Sequence, residues 1–256
     1  MTWMDKVVVV TGGGSGIGET VCRRFASGGA KVAVVGRTLS KCENTADEIK
    51  ASGGEAFALQ ADVAAEEDVK LAIRSVIGRY GKIDVLVNNA AVCPQIKLAD
   101  MSFGQWNEVI NCNLGSIFLM CREVIPHMLE AGGGAIVNLS SVHALATSEG
   151  YAAYAATKGG IVSMTRAVAL DYAKNNIRVN AVLPGAVHTP MLESSVKRLD
   201  DDKEESIMDI WNEAQPIGRV GKTDEIASVV LFAASPDNSF MTGAVLVADG
   251  GMTIDL

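Results

Sequence analysis

Short apolar runs alternate along this chain with longer segments in which apolar residues recur every three or four positions. The short runs are typical of buried parallel strands, and the longer segments are typical of amphipathic helices. We predict strands at Lys6–Val10, Lys31–Val35, Ala56–Gln60, Val85–Val87, Ala135–Leu139, Ile177–Val182 and Ala244–Ala248. We predict helices at Gly18–Ser27, Ser40–Ser52, Glu66–Tyr80, Phe103–Ala131 (one helix or two), Tyr151–Lys174 and Asp224–Ala234. This alternation predicts an α/β fold, a doubly wound parallel sheet with helices on both faces.

Composition and charge narrow the classes of function. The chain has 256 residues, 48% hydrophobic and 20% charged, which fits one domain spanning 1–256. Its net charge of -8 argues against nucleic acid or an anionic membrane as a partner. No apolar run approaches the roughly 18 residues that cross a bilayer. The first residues include Asp5 and form no basic leader, so we expect no signal peptide.

The cysteines and histidines give little support for a metal or disulfide framework. The five cysteines include no C-x-x-C pair, and the three histidines are scattered without metal-ligand spacing. We therefore expect a cytoplasmic protein with free thiols and no metal site.

The segment from Ser140 to Lys158 carries the strongest chemical signal. Tyr154 and Lys158 are four residues apart in an Ala-rich helix, so they share a face. An ammonium beside a phenol favours the phenolate, so we expect the pKa of Tyr154 to lie below that of free tyrosine. Ser141 follows a predicted strand, where catalytic side chains gather. Taken alone, such a spacing favours a surface pair on a helix, and it is the other motifs of the chain that favour a catalytic pair.

A glycine-rich turn links the first strand to the first helix. It reads Thr11-Gly12-Gly13-Gly14-Ser15-Gly16-Ile17-Gly18. The spacing that we consider is Gly12-x-x-x-Gly16-x-Gly18. Glycine lets a backbone turn tightly and approach a pyrophosphate, and the following helix N-terminus favours negative charge. This context predicts a nucleotide-binding loop, although any tight strand-to-helix turn can use glycines.

The end of the second strand selects between the two nicotinamide cofactors. A carboxylate there would bind the ribose hydroxyl of NAD, whereas an arginine accommodates the 2′-phosphate of NADP. The chain has Gly36 followed by Arg37. We therefore favour NADP(H), with NAD(H) as the alternative and a solvated surface cation as the plain interpretation of Arg37.

These motifs together resemble the short-chain dehydrogenase/reductase family, in its main single-domain branch with a Rossmann-type sheet. The resemblance covers essentially the whole chain. The matching pieces occur in the family order: the TGGGSGIG loop, Asp62-Val63, Asn88-Asn89-Ala90-Ala91, Asn113, Ser141, Tyr154-x-x-x-Lys158, Pro184-Gly185 through Thr189, and Asp249-Gly250-Gly251.

The resemblance implies a role for each matching residue. The catalytic set would be Asn113, Ser141, Tyr154 and Lys158, with Tyr154 as the general acid or base. Cofactor binding would fall to Gly12, Ser15, Gly16, Ile17, Gly18, Arg37, Asp62, Val63, Asn89, Ala90, Tyr154, Lys158, Pro184, Gly185, Val187 and Thr189. The reaction implied is hydride transfer between NAD(P) and a small-molecule alcohol or ketone.

Several assignments stay open at this stage. Asp62 could instead be the N-cap of the next helix, Asn111 competes with Asn113, and Thr189 could be an ordinary loop residue. Ser140 is adjacent to Ser141, and Tyr151 lacks a lysine four residues on but could line the cleft. The histidines His143 and His188 either touch a polar substrate group or are ordinary loop residues.

Two features bear on substrate and assembly. Residues 190–215 mix apolar side chains with many acids, so they form either a lid over an apolar substrate or a solvated surface helix. The helical segments Phe103–Ala131 and Ile161–Tyr172 hold more apolar residues than one buried face needs, and family members are commonly homotetramers, so we predict a homotetramer. The alternative functions are a non-catalytic NAD(P)-binding regulator and an epimerase or dehydratase on the same fold. A non-enzymatic interaction module fits the glycine loop least well.

Overall fold

A computed structural model describes residues 2–199 and 207–254 of the chain. Its sheet contains seven strands: β1 (Val7–Thr11), β2 (Lys31–Gly36), β3 (Glu55–Gln60), β4 (Val85–Asn88), β5 (Gly134–Leu139), β6 (Ile177–Pro184) and β7 (Val245–Ala248). Every pairing is parallel, and the strand order is β3-β2-β1-β4-β5-β6-β7. The predicted doubly wound parallel sheet is confirmed.

The described helices are α1 (Gly16–Ser27), α2 (Leu39–Ala51), α3 (Glu66–Tyr80), α4 (Phe103–Ile110), α5 (Ser116–Glu130), α6 (Ala152–Tyr172), α7 (Pro190–Leu199), α8 (Ile207–Glu213) and α9 (Thr223–Ala234). Of these, α7 and α8 lie within residues 190–215, where the sequence left a lid and a surface helix open. Residues 200–206 of that segment lie outside the described residues.

The alternation of side chains along β1 divides the core into two layers. Val8 and Val10 pack into one layer with α1, α2 and α9, whereas Val7 and Val9 pack into the other with α3, α5 and α6. A strand buried on both faces needs apolar residues at every position, which explains the unbroken run of valines.

The predicted long helix at Phe103–Ala131 is two α-helices joined by a π-helical turn at Asn111–Gly115. A π turn inserts an extra residue into the helical ladder and rotates the side chains that follow, and such turns are frequent at functional sites. Here the turn places Asn113 in the buried interior and leaves Asn111 exposed. Of the two candidate asparagines, Asn113 is therefore the buried one.

The sheet order reverses between β1 and β4, since β2 lies on one side of β1 and β5 lies beyond β4. The carboxyl ends of these strands splay apart at such a switch point and leave a crevice for a ligand. The glycine loop follows β1 and Ser141 follows β5, so the topology brings the two sequence motifs to the same edge.

Candidate active site

The glycine loop is shaped by close packing as well as by unusual backbone angles. Gly12 and Gly16 have φ of 64° and 57°, in the left-handed region that favours glycine. A Cβ on Gly18 would collide with the carbonyl oxygen of Gly12. Asn89 Nδ2 donates to the carbonyl oxygens of Thr11 (3.0 Å) and Gly12 (3.3 Å), which braces the loop against the end of β4.

The loop borders a cavity at the carboxyl ends of β1 to β4. We call it the adenosine end of the cleft, because the resemblance implies that the adenosine of the cofactor binds there. It is lined by Gly12, Gly14, Ser15, Gly36, Arg37, Thr38, Lys41, Cys42, Ala61, Asp62, Val63, Ala90, Ala91 and Cys112. Arg37 is exposed there, as is Lys41 in the first turn of α2. A Cβ on Gly14 would lie 2.9 Å from Lys41 Cβ, so glycine lets α2 approach the loop. Sequence analysis missed Lys41, although it stands one helical turn after Arg37.

Asp62 is not the N-cap of α3, because that position is held by Ala65. The carboxylate of Asp62 instead accepts a hydrogen bond from the backbone N–H of Ala64 at 3.0 Å, closing a local turn. The side chain lines the adenosine end together with Val63. The N-cap alternative for Asp62 is therefore wrong, and the cavity-facing alternative remains.

A second cavity, the catalytic cavity, lies on the other side of the loop beyond β4, β5 and β6. Its lining includes the following residues: Ile17, Asn89, Cys93, Ser141, Val142, His143, Tyr151, Tyr154, Lys158, Pro184, Gly185, Val187, Thr189, Met191, Leu192, Trp211 and Met252. Ala91 lines both cavities, so they are two ends of one cleft. Gly16, Gly18 and Asn113 belong to neither lining and act through the backbone that they shape or hold.

The loop after β6 closes over the start of α1. A Cβ on Gly16 would lie 3.3 Å from Thr189 Cγ2, and Thr189 Oγ1 donates to the carbonyl oxygen of Val187 at 3.2 Å. Gly185 packs against Asp249, whose Cα would lie 2.8 Å from an added Cβ. Thr189 therefore meets the glycine loop across the cleft, and its contact with the nicotinamide stays a prediction.

Ser140 and Ser141 have different surroundings. Ser140 Oγ donates to the carbonyl oxygen of Lys158 at 2.8 Å, which ties the end of β5 to α6. Both serines line the catalytic cavity, but Ser141 is the one whose hydrogen bond acts to lower the pKa of Tyr154. Ser140 is therefore a structural residue, and Ser141 is the serine beside the tyrosine.

Tyr154 and Lys158 are both buried, with 8% and 3% of their surface exposed. Lys158 Nζ donates to the carbonyl oxygen of Leu139 at 2.9 Å and lies 5.3 Å from the centroid of the Tyr154 ring. Burial disfavours the charged form of each group, so it lowers the pKa of Lys158 to about 8 and raises the pKa of Tyr154 above its ordinary value.

The expected depression of the Tyr154 pKa is therefore wrong for the protein without a bound ligand. Desolvation by burial is the largest cause of the rise, and Cys93 and Tyr151 add to it. The hydrogen bond from Ser141 opposes it without overcoming it. A lysine at helical spacing does not by itself lower the pKa of a tyrosine when both groups are buried.

Asn113 links three parts of the site. Its Oδ1 accepts from the backbone N–H of Val92 at 2.8 Å, and its Nδ2 donates to the carbonyl oxygen of Val92 at 2.9 Å. Nδ2 also donates to Thr157 Oγ1 at 3.2 Å, and that hydroxyl donates to the carbonyl oxygen of Tyr154 at 2.7 Å. The carboxamide therefore holds the loop after β4 against the helix that carries the tyrosine.

An aromatic cluster borders Tyr154. The ring centroid of His143 lies 4.8 Å from that of Tyr151 and 5.4 Å from that of Tyr154. His143 Nδ1 is 2.8 Å from Thr147 Oγ1. The second histidine, His188, is exposed and lies 3.8 Å from a carboxylate oxygen of Glu193. The structure therefore separates the two histidines: one lines the cavity and the other does not.

The cleft fits a dinucleotide. Its adenosine end has two exposed cations, its centre is a glycine loop at the N-terminus of α1, and its far end has buried polar side chains. The helix N-terminus and the close backbone approach at Gly12 and Gly16 suit a pyrophosphate. Among the described residues, no three histidine, cysteine or acidic side chains are grouped to hold a metal ion.

Comparisons with known proteins identify the family of this chain. A family model described as Enoyl-(Acyl carrier protein) reductase matches residues 12–253. The 3-oxoacyl-[acyl-carrier-protein] reductase FabG of Chlamydia trachomatis is 39% identical over 251 residues, covering 97% of this chain and 98% of that protein. A short-chain type dehydrogenase/reductase from Mycobacterium marinum has a TM-score of 0.93 at 30% identity, covering 99% of this chain and 98% of that one. The chain is a short-chain dehydrogenase/reductase.

Membership of the short-chain dehydrogenase/reductase family gives the reaction class. The chain is an NAD(P)-dependent oxidoreductase that interconverts a ketone and a secondary alcohol. A variant of actinorhodin polyketide ketoreductase crystallised with NADPH has a TM-score of 0.93 at 34% identity, covering 97% of each chain. The comparisons give no support to an epimerase, a dehydratase or a non-catalytic regulator. Among the described helices, none combines the length and apolar character needed to span a membrane.

Proposed function

We propose that this chain reduces a small-molecule ketone with NADP(H), with Tyr154 as the proton donor, and that Tyr154 accepts the proton in the reverse direction. The observation that carries the proposal is the catalytic cavity, in which Ser141, Tyr154 and Lys158 line the buried end of a dinucleotide-sized cleft. A bound reduced nicotinamide would supply the hydride, which amino-acid side chains cannot.

Each residue has a part that follows from its position. Ser141 orients the carbonyl oxygen of the substrate by a hydrogen bond, and Tyr154 gives that oxygen its proton as the carbon becomes tetrahedral. Burial keeps the phenol protonated, which suits a donor. Lys158 would hold the ribose of the bound nicotinamide cofactor, and its charge would stabilise the phenolate that is left behind.

Asn113 supports this arrangement mainly as a clamp. Its Nδ2 donates to Val92 and Thr157 and its Oδ1 accepts from Val92, so the carboxamide is held in place on both sides. We propose that replenishment of the proton on Tyr154 runs along this side of α6.

The preference for NADP(H) is supported by the adenosine end. Arg37 and Lys41 line it, and Gly36 supplies no carboxylate to repel a phosphate. Fluorescence titration with NADPH and NADH tests the preference directly. We expect tighter binding of NADPH, and tighter binding of NADH would make NAD(H) the cofactor.

Two further parts of the proposal concern the surroundings of the site. Met191, Leu192 and Trp211 line the catalytic cavity, which supports a lid formed by residues 190–215 over an apolar substrate. We also propose a cytoplasmic homotetramer; exposed apolar side chains on α4, α5 and α6, at Phe103, Phe118 and Leu170, support the assembly. A monomeric mass in light scattering at micromolar concentration would contradict the tetramer.

A panel of ketones and secondary alcohols, assayed with each cofactor at the reduced-nicotinamide absorbance band, tests the proposed function. The thioester substrates named for the FabG relatives belong in the panel. We expect NADPH oxidation matched by formation of a secondary alcohol. Tight NADPH binding without turnover of any compound would favour the non-catalytic alternative.

A further inference from the structure

The catalytic cavity contains an imidazole that the proposed reaction does not use. His143 is half-buried and lines the cavity two residues after Ser141. Its ring meets the Tyr154 ring edge-on, at 5.4 Å between centroids and 79° between planes. A substrate whose carbonyl oxygen is held by Ser141 and Tyr154 therefore brings its neighbouring carbon atoms close to this imidazole.

The two ring nitrogens of His143 differ in their surroundings. Nδ1 is fixed by Thr147 Oγ1 at 2.8 Å. Nε2 has no hydrogen-bonding partner within the described residues, and it is not among their buried unpaired polar atoms. Contact with Tyr151 on one side and the Thr147 hydrogen bond on the other hold the ring in place. The site is therefore a preorganised imidazole with one open nitrogen.

The surroundings of this nitrogen select the kind of group that it can bind. Burial and the nearby Lys158 lower the pKa of His143, so the ring is neutral near pH 7. A neutral imidazole nitrogen pairs well with a hydroxyl or carbonyl oxygen and gives a carboxylate no charge. Much of the remaining wall is apolar, including Val142, Leu192, Trp211 and Met252.

We propose that His143 Nε2 binds a second, neutral oxygen function of the substrate, one or two carbon atoms from the reacting carbonyl. The preferred substrates are then hydroxyketones or ketones with a second carbonyl, and His143 is a specificity-determining residue. The inference rests on the proposed ketoreductase function and adds the class of substrate to it. An imidazole nitrogen without a partner discriminates against ketones that lack the second oxygen, because binding them leaves a desolvated polar atom.

Kinetics with matched ketones test the inference. Acetoin is compared with butanone, and methyl acetoacetate with methyl propyl ketone, as ratios of kcat/KM in the wild type and in His143→Phe. Phenylalanine keeps the ring contacts with Tyr151 and Tyr154 but has no ring nitrogen. We expect one of the two ratios to fall about tenfold in His143→Phe, the effect of one hydrogen bond, and to recover in part in His143→Gln. Dividing each ratio by that of the wild type removes the intrinsic reactivity of the ketones.

His188→Phe is the matched control, because that histidine is exposed and outside the cavity lining. Both ratios should match the wild type in this variant. If both ratios in His143→Phe also equal those of the wild type, the inference is wrong. The two arms also locate the second oxygen, since acetoin has it one carbon from the carbonyl and methyl acetoacetate two.

A second readout does not depend on turnover. The chain has three histidines, so comparison with His143→Phe assigns the imidazole nitrogens of His143 in NMR spectra. In the complex with oxidised cofactor, which cannot reduce a ketone, butane-2,3-dione should shift Nε2 more than butanone does, or methyl acetoacetate more than methyl propyl ketone. Acetoin is left out of this experiment because the oxidised cofactor could oxidise its hydroxyl group. Equal shifts would overturn the inference. If the wild type reduces no ketone at all, the proposed function fails, while the Nε2 shift still decides the role of His143.

Discussion

The two ends of the cleft are built in different ways. The adenosine end and the glycine loop consist mainly of backbone: glycines in close contacts and a helix N-terminus. The exposed side chain of Arg37 adds a charge there. The catalytic end is made of largely buried side chains, above all Tyr154 and Lys158. Steric requirements at the first end can be recognised from the spacing of glycines in the sequence. At the second end burial sets the pKa values, and residue spacing does not reveal burial.

The largest effect should come from filling the close backbone contact within the glycine loop. We expect Gly18→Ala to lose measurable NADPH binding and about 1–3 kcal/mol of stability, because its Cβ would collide with the carbonyl oxygen of Gly12. Titration calorimetry and urea unfolding measure the two effects. Gly78→Ala is the matched control: the site in α3 is open, so this variant should fold and bind NADPH normally.

Cofactor preference should respond to a carboxylate at the end of β2. A Cβ on Gly36 would lie 2.9 Å from Cys42 Sγ, so the change is made together with Cys42→Ala. We expect Gly36→Asp in this background to shift the ratio of NADPH to NADH affinity about a hundredfold toward NADH, by repulsion of the 2′-phosphate and a new bond to the 2′-hydroxyl. Cys42→Ala alone is the control. An unchanged ratio would mean that Arg37 and the strand end do not contact the ribose.

The buried lysine should leave a mark on stability that depends on pH. The pKa of Lys158 is about 8 in the fold against an ordinary value of 10.5. Between these values the unfolded chain binds more protons at this lysine, so the contribution of Lys158 to the stability of the cofactor-free protein should rise with pH. Tyr154 and the buried thiols Cys22, Cys42, Cys112 and Cys121 have raised pKa values and act in the opposite direction as the pH rises. The lysine contribution, read as the difference between the wild type and a variant without the lysine, should rise by on the order of 2 kcal/mol from about pH 8 to pH 10.

Lys158→Met removes the titrating group and should flatten that rise. Urea unfolding at several pH values, without cofactor, compares the two proteins. The same pH dependence in the wild type and the variant would mean that Lys158 contributes none of it and would place Lys158 in a more hydrated setting than its 3% exposure indicates.

The fold and most site positions could be predicted because they follow from local rules. The valines of β1 predict a strand buried on both faces. The glycine spacing predicts the loop, in which Gly18 has no room for a Cβ. The residues proposed for catalysis fall at one edge because parallel strands align their ends. Roles at these positions remain predictions until the variants are measured.

Other features depend on contacts between distant parts of the chain. The approach of Lys41 to the glycine loop depends on the docking of α2, and the placing of His143 on Tyr154 depends on how the chain turns after β5. The direction of the Tyr154 pKa shift was predicted incorrectly, because helical spacing shows that a lysine is near but not that both groups are desolvated. The π turn that buries Asn113 also has no periodic signal in the sequence.

The central claim is that Tyr154 carries the proton transfer, and Tyr154→Phe tests it most directly. The change removes one oxygen atom and keeps the ring, so folding and NADPH affinity should persist. We expect kcat for ketone reduction to fall by about a hundred- to ten-thousand-fold, the usual contribution of a general acid. Tyr151→Phe, which has no lysine one turn later, should retain far more activity. Near-normal turnover by a folded, NADPH-binding Tyr154→Phe protein would contradict the account.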